Sequence, residues 1–468
     1  MLNPNDIYSH AESLYIDEVI TVSDNPYKED VYLIYNPDGY GGVLVVGKEI
    51  IDIIKLCNGY NTIKQISLSV NQAYENLLTI FNLLVSKQII YSVKTSQKNY
   101  SNKKKVLTCW IHLTNNCNLK CKYCYIHKNS DVMSEELLFS SIDKMLLSCK
   151  KHNYDILSLM LVGGEPLTQF KLIKSLIDYC ESNPYDVPVK YIIPTNGTLV
   201  SKDIARFIKD KEISVGVSLD GSKEYHDVNR IYKNGRGSYE DTIKGINNLI
   251  EHNIKPSIMV TVTAENLEGL PKLTKYLIEK EMFFRFSFER DTQTGHPRIL
   301  NDISKCIRIL NECFDIMEQY LNSGSYNWFF QFGDVTFSKP VRRACAAGKN
   351  FFALGQNGEI ACCSLGLEAP RTNIINIKDI ISEIDDIFSD ISHTSACDVN
   401  ECKICEWRHS CAGACPLQTS ATYGDLLHIS PYCELYKSLL PRVLKIYAIS
   451  IYYKNKFRER GGVTHVHI

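Results

Sequence analysis

Cys117-Asn-Leu-Lys-Cys121-Lys-Tyr-Cys124-Tyr sets three cysteines in the spacing C-x3-C-x2-C. The run before it, residues 106–113, is apolar and β-branched, which predicts a buried strand. The cysteines then lie on a loop leaving the C-terminal end of a strand, where α/β folds put their chemistry. Closely spaced thiolates are soft ligands that suit an iron–sulfur cluster or zinc. Three thiolates on a four-iron cubane leave one iron open to another ligand, whereas a structural zinc site asks for a fourth protein ligand.

Downstream of the loop, strand and helix signals alternate to about residue 320. Strands are predicted at 106–113, 156–162, 189–193, 213–219, 257–263 and 282–288, with helices at 134–150, 203–211 and 267–280. That alternation implies an α/β fold with a parallel sheet of right-handed βαβ units. Chemistry-bearing residues cluster at the strand ends. Val162 leads into Gly163-Gly164-Glu165-Pro166, where two glycines permit close approach or positive φ and Glu165 offers a carboxylate to an ammonium. Ile193 leads into Pro194-Thr195-Asn196-Gly197, and Val217 into Ser218-Leu219-Asp220-Gly221. His226-Asp227-Val228-Asn229-Arg230 follows.

The cysteine spacing, with Tyr123 before the last cysteine, and these motifs at successive strand ends resemble the radical S-adenosylmethionine (SAM) enzymes. The resemblance implies a partial (β/α)6 barrel. It implies a [4Fe–4S] cluster on Cys117, Cys121 and Cys124, whose open iron is chelated by the amino and carboxyl groups of SAM. One electron would then split SAM into methionine and a 5'-deoxyadenosyl radical. It also implies Tyr123 near the adenine, Gly163, Gly164 and Glu165 at the amino group, and Asn196 near the ribose. Ser218 would contact SAM, with Asp220 a ribose or ordering partner. Arg230 would clamp the SAM carboxylate, a bidentate task that suits a guanidinium fork.

The chain holds 18 cysteines, clustered mainly in 117–124 and 345–433. Without an export signal that number points to metal or redox use rather than a disulfide framework. Cys345, Gly358 and Cys363 read C-x12-G-x4-C; Cys402, Cys405, Cys411 and Cys415 read C-x2-C-x5-C-x3-C, and Cys433 follows. Such C-x2-C pairs also make zinc ribbons. The whole pattern resembles the SPASM extension of radical SAM enzymes, which carries two auxiliary [4Fe–4S] clusters. By that resemblance Cys402, Cys405, Cys411 and Cys433 ligate the outer cluster, and Cys345, Cys363 and Cys415 the inner. The sequence departs from the sulfatase-maturing branch: 337–344 lacks a cysteine, and Ser364 stands where that branch has an aspartate base. The inner cluster then has an open iron, or takes Cys362, Cys306 or Cys313 as its fourth ligand. Cys57, Cys109, Cys149, Cys180 and Cys397 read as packing residues.

Residues 1–95 read as a separate small α+β domain. Strands are predicted at 30–35 and 42–46, and a helix over 50–57 stopped by Asn58-Gly59. Thr62-x-x-Gln65 makes a capping box for a second helix, Leu77, Phe81 and Leu84 stripe a third, and 89–93 returns as a strand. This winged-helix-like pattern resembles the PqqD-like domain that binds the leader of a ribosomally made peptide by adding a strand to a sheet edge. The alternatives are a packing domain and a DNA-binding winged helix, against the latter of which the formal net charge of −1 argues. A polar linker is predicted at 96–105, the barrel at 106–325, the SPASM domain at 326–445 and a tail at 446–468.

No basic n-region or long apolar run suggests export or a membrane span, so the expected location is the cytoplasm. The expected activity is radical modification of a precursor peptide held by its leader, with electrons from a flavodoxin or ferredoxin, and with no nucleic-acid or membrane partner. The expected product is a cysteine-to-carbon thioether, as in sactipeptide-type maturases. Rivals are carbon–carbon or carbon–oxygen crosslinking, epimerisation and formylglycine formation. From another class comes a non-catalytic iron–sulfur or zinc winged-helix regulator.

Overall fold

The computed structural model describes residues 4–20, 29–39, 41–93, 104–182, 186–325, 327–337 and 341–459. The chain begins with strands β1 (Ile7–His10), β2 (Tyr15–Ile20), β3 (Val31–Tyr35) and β4 (Leu44–Gly47). Helix Lys48–Leu56 turns Ile51, Ile53 and Ile54 inward and ends before Asn58-Gly59. Strand β5 (Asn58–Thr62), helices Ile63–Ser69 and Tyr74–Ser86, and β6 (Ile90–Ser92) complete the region. Thr62 caps the second helix in a reciprocal capping box with Gln65. The strands form two antiparallel sheets, β5-β1-β6 and β2-β3-β4.

Three of these strands, β1, β2 and β5, are additional to the sequence reading. Asn58-Gly59 does stop the helix, with Gly59 at φ +84°, but the chain leaves that stop directly into a strand paired with β1. The region is also less separate than expected. Ile34 and Leu44 join a local core with Ile51, Phe81 and Leu84. Val19, Leu33, Tyr35 and Val43 belong to the main core of the molecule. Alternate side chains of one sheet thus serve two cores, as the period-2 geometry of a strand allows. The expected linker 96–105 falls largely outside the described residues.

Parallel strands β7 (Val106–Thr114), β8 (Ile156–Gly163), β9 (Val189–Thr195), β10 (Ser214–Ser218), β11 (Ser257–Val262) and β12 (Phe283–Phe288) lie side by side in chain order. A seventh, β13 (Phe329–Phe332), pairs with β12 beyond the expected boundary at 325. On the opposite edge β14 (Phe351–Leu354) runs parallel to β7, and β15 (Glu359–Ala361) and β16 (Thr372–Asn373) extend it antiparallel. The region expected as a SPASM domain therefore supplies strands to both edges of the barrel sheet. Helices return the chain between strands. In the first, Glu135–Lys151, Ser134 accepts from the Leu137 N–H, acids open the first turn and lysines close the last.

Helix Cys433–Glu459 contains Pro441 and packs along helix Ile303–Asn322, reaching β2 and β4 at its far end. Ile446, Ile449 and Tyr453 are buried on it. The expected tail at 446–468 is therefore helical as far as Glu459. Among the described residues, no helix is long and apolar enough to cross a membrane.

Candidate active site and cysteine centres

The cysteine loop is held from both sides by backbone. Gly164 donates its N–H to the Thr114 carbonyl (2.8 Å) and Glu165 to that of Asn116 (3.0 Å). On the other side Lys120 donates to the Ile231 carbonyl (2.7 Å) and Lys122 to that of Asn229 (3.0 Å). The loop thus lies between the end of β8 and the segment carrying Arg230. The glycines are needed for this seating. Gly163 sits at φ +135°, and a Cβ there would stand 2.0 Å from the Thr114 oxygen; one on Gly164 would stand 2.2 Å from the Asn116 oxygen. What approaches these glycines is the cysteine loop itself.

Cys117 is buried, and Cys121 and Cys124 are partly exposed. Burial pushes the Cys117 thiol up to about 11. Burial also raises Cys121, opposed by the nearby Arg230 cation. Ligation would displace the protons that burial favours on these thiols.

The strand-end residues divide into two groups. Glu165 is buried and its carboxylate accepts from the Leu167 N–H (3.1 Å), the Thr195 hydroxyl (2.7 Å) and the Asn196 N–H (2.8 Å). These bonds tie β8 to β9. Asn196 donates to Asn118 of the cysteine loop (2.8 Å). Asp220, fully buried, accepts from Arg230 Nε (2.7 Å), the Thr261 N–H (2.9 Å) and the Tyr123 hydroxyl. The Arg230 guanidinium lies 5.3 Å from the centre of the Tyr123 ring. Asp220 is thus an ordering residue that fixes both Arg230 and Tyr123. Two groups remain open among the described residues: the Ser218 hydroxyl, on a half-buried residue ending β10, and the terminal nitrogens of Arg230.

The C-terminal cysteines fall into two sets. Cys402, Cys405, Cys411 and Cys433 line one cavity. Cys345, Cys363 and Cys415 neighbour one another electrostatically, Cys363 at the end of the β14–β15 hairpin and Cys415 at the N-cap of helix Pro416–Tyr423. The Cys362 thiol lies near those of Cys363 and Cys345. Cys306 and Cys313 are buried on helix Ile303–Asn322 beside each other and Thr274, which makes them core residues.

The sequence reading passed over His112. It is buried on β7, with Nε2 2.8 Å from the Ser364 hydroxyl and Nδ1 3.3 Å from Asn115 Oδ1. Tyr125 lies near the same serine. His112 therefore joins the first cysteine loop to the residue after Cys363. The cue available was a polar residue breaking an otherwise apolar buried strand. Burial lowers His112 to about 4, so it is neutral near pH 7.

Among the described residues, no group of three or more His, Cys, Asp or Glu side chains stands as a finished cage for a metal ion. The donor chemistry nonetheless fits an iron–sulfur cluster: three thiols on one clamped loop, beside a buried guanidinium whose free nitrogens suit a carboxylate.

Comparison with known proteins agrees with that chemistry. Residues 111–277 match the radical SAM superfamily. An uncharacterised protein of Methanocaldococcus jannaschii is 35% identical over 241 residues, 48% of this chain and 82% of that protein. The chain belongs to the radical SAM superfamily, whose members use a [4Fe–4S] cluster and SAM. The radical SAM cyclopropyl synthase TigE of Paramaledivibacter caminithermalis is 23% identical over 443 residues, 87% of this chain and 91% of TigE. The solved structure of native anSMEcpe with bound AdoMet and Cp18Cys peptide aligns with a TM-score of 0.63 at 22% identity, covering 75% of this chain and 99% of that one. That last likeness is one of fold.

Proposed function

We propose that this protein is a radical SAM enzyme that modifies a ribosomally made precursor peptide, closing thioether bonds between cysteine sulfur and substrate carbon. The observation that carries the reading is the convergence of the Cys117–Cys121–Cys124 loop, the open nitrogens of Arg230 and the Ser218 hydroxyl at neighbouring strand ends. Cys117, Cys121 and Cys124 would hold the cluster that binds SAM. Arg230, fixed by Asp220, would take the SAM carboxylate. Tyr123 would border the adenine, Asn196 the ribose, and the Gly163–Gly164 backbone the amino group. When bound, the cluster and SAM supply a carbon radical that removes a hydrogen atom from the substrate.

Two auxiliary clusters would sit on Cys402, Cys405, Cys411 and Cys433 and on Cys345, Cys363 and Cys415. The fourth inner position is open or belongs to Cys362, since Cys306 and Cys313 lie in the core. The N-terminal region, with its short-stranded sheet β5-β1-β6, is read as a PqqD-like, winged-helix-type binder of the peptide leader. A flavodoxin or ferredoxin in the cytoplasm would deliver electrons. The relation to a cyclopropyl synthase over nearly the whole chain favours a second reading, in which the new bond joins two carbons.

The test is anaerobic incubation with SAM, dithionite and a cysteine-containing precursor peptide encoded beside the gene, read by tandem mass spectrometry. A loss of two hydrogens per crosslink, with fragments linking a cysteine to another residue, is the expected result. The same loss in a precursor lacking cysteine would exclude the thioether, and fragments joining two carbons would establish the carbon–carbon reading. SAM cleavage without any change in the peptide would overturn both.

A further inference from the structure

A buried polar cluster lies where β12 and β13 end and the C-terminal helix begins. Glu289 and Arg290 follow β12, Gly333 and Asp334 follow β13, and Tyr432 and Tyr436 lie at the start of helix Cys433–Glu459. The second guanidinium nitrogen of Arg290 pairs with Asp334, and the guanidinium lies 5.4 Å from the Tyr432 ring centre. Arg285 reaches the other Asp334 oxygen at 3.2 Å. Tyr432 is spoken for, its hydroxyl donating to the Glu289 carbonyl at 2.5 Å.

Three buried donors in this cluster have no acceptor among the described residues: Arg285 Nε, Arg290 Nη1 and the Tyr436 hydroxyl; the last two, on Arg290 and Tyr436, are the ones near cysteines. Buried polar hydrogens without acceptors are rare because their desolvation goes uncompensated. Neither side chain can easily move away. Tyr436 is 1% exposed and its hydroxyl is close against β13, where a Cβ on Gly333 would stand 2.9 Å from it. Arg290 is anchored by Asp334.

Both donors lie beside sulfur. Tyr436 lines the cavity formed by Cys402, Cys405, Cys411 and Cys433. Arg290 lines the cavity that contains Cys124 and is an electrostatic neighbour of Cys415. The anionic sulfur of an iron–sulfur centre is the acceptor chemistry that such donors lack.

We infer that Arg290 and Tyr436 donate hydrogen bonds to the two C-terminal iron–sulfur centres, Arg290 on the Cys415 side and Tyr436 on the Cys411 side, and with Asp334 set their reduction potentials. This rests on the proposed reading that those cysteines hold clusters. Reduction adds negative charge to a centre. A cation or a donated hydrogen bond therefore favours the reduced form, and a carboxylate opposes it. Arg290 and Asp334 act in opposite directions, whereas a purely structural ion pair would leave both potentials where they were.

The experiment is a redox titration of the full-length protein, reconstituted anaerobically with iron and sulfide and followed by electron paramagnetic resonance. R290Q is expected to lower the potential of the Cys345–Cys363–Cys415 centre. The effect is about a tenfold fall in its reduced-to-oxidised ratio at fixed poise, equivalent to about 59 mV for one electron. D334N is expected to shift the same centre the other way. Y436F, which removes one oxygen, is expected to lower chiefly the Cys402–Cys405–Cys411–Cys433 centre, by less. Unchanged potentials in loaded R290Q and Y436F would overturn the inference. Should R290Q fail to load, D334N and Y436F still decide it by sign and by site. A wild-type protein that takes up only about four irons, rather than the roughly twelve of three cubanes, would overturn the cluster reading first and this inference with it.

Discussion

The cysteine loop at 117–124 and the cysteines of 345–433 both present sulfur, and they are built in opposite ways. The loop brings its three thiols together within eight residues of sequence, and main-chain hydrogen bonds to β8 and the 229–231 segment hold its shape. The later cysteines come from a strand end, a helix cap, a helix start and the loops between them. Their arrangement depends on the four strands β13 to β16 added at the barrel edges and on a long helix packed along helix Ile303–Asn322. A site held by local backbone tolerates distant change. A site assembled from distant segments depends on the packing of the whole region.

The largest expected effect separates the two by function. Cys121→Ala should abolish reductive SAM cleavage, measured as 5'-deoxyadenosine by chromatography, because the loop has no spare thiol. Cys411→Ala should keep SAM cleavage while losing about four irons per chain and the modified peptide. If Cys411→Ala also silenced SAM cleavage, the two sites would not be separable in this way.

Two glycine substitutions test the difference in backbone. Gly164→Ala puts a methyl 2.2 Å from the Asn116 oxygen, so the loop must shift, and iron at the first site should be lost along with SAM cleavage. Gly413, beside Cys411, sits at φ +81° with its nearest neighbour atoms 4.0 Å from a built Cβ. Alanine there meets backbone strain alone, about 1–2 kcal/mol, visible as a lower Tm with iron content unchanged. Equal iron loss in the two variants would contradict a loop seated by close backbone approach.

A smaller effect is expected at Arg230. Lysine keeps the charge but loses the planar fork and the Nε bond to Asp220. SAM binding, measured by equilibrium dialysis, should weaken about ten- to a hundredfold, the range for one or two charge-assisted hydrogen bonds. The C-terminal sites should keep their iron. Unchanged SAM affinity would remove Arg230 from the cofactor site.

The same division separates what could be read from the sequence from what could not. Six barrel strands were legible as apolar runs, and β7 to β12 lie within two residues of the expected ends. The cysteine spacing and the strand-end motifs were legible because each is contiguous. Strands β1 and β5 were not: Ile7–His10 and Asn58–Thr62 are short, carry little apolar alternation, and exist because they pair with each other. β13 is a four-residue strand that relies on β12 in the same manner. Tyr35 read as an ordinary strand residue, yet its hydroxyl meets Ser410 at 2.6 Å and its ring stacks on Trp407, between Cys405 and Cys411. Partners so far apart in sequence leave no periodic trace. Glu165 shows the converse: its motif was plain, but the direction of its carboxylate depended on Thr195 and Asn196 of the next strand.

His112 is where the two regions meet, and the smallest expected effect lies there. Its Nδ1 faces Asn115 at the root of the first loop and its Nε2 faces Ser364 beside Cys363. Burial lowers it from 6.5 to about 4, and burial does the same to His226. A histidine with a depressed folded-state pKa binds fewer protons folded than unfolded. Its contribution is present above pH 6.5 and is lost as pH falls through that value toward about 4, up to about 3 kcal/mol for each. Thermal unfolding of the reduced apo-protein across that window should show a falling Tm, and His112→Gln should flatten part of the fall, with His226 and His409, which burial also lowers, supplying further parts. Ser364→Ala should cost about 1–3 kcal/mol at neutral pH by leaving Nε2 without its partner. An acid limb identical in His112→Gln and the wild type would mean that this histidine is not the buried link between the two cysteine regions.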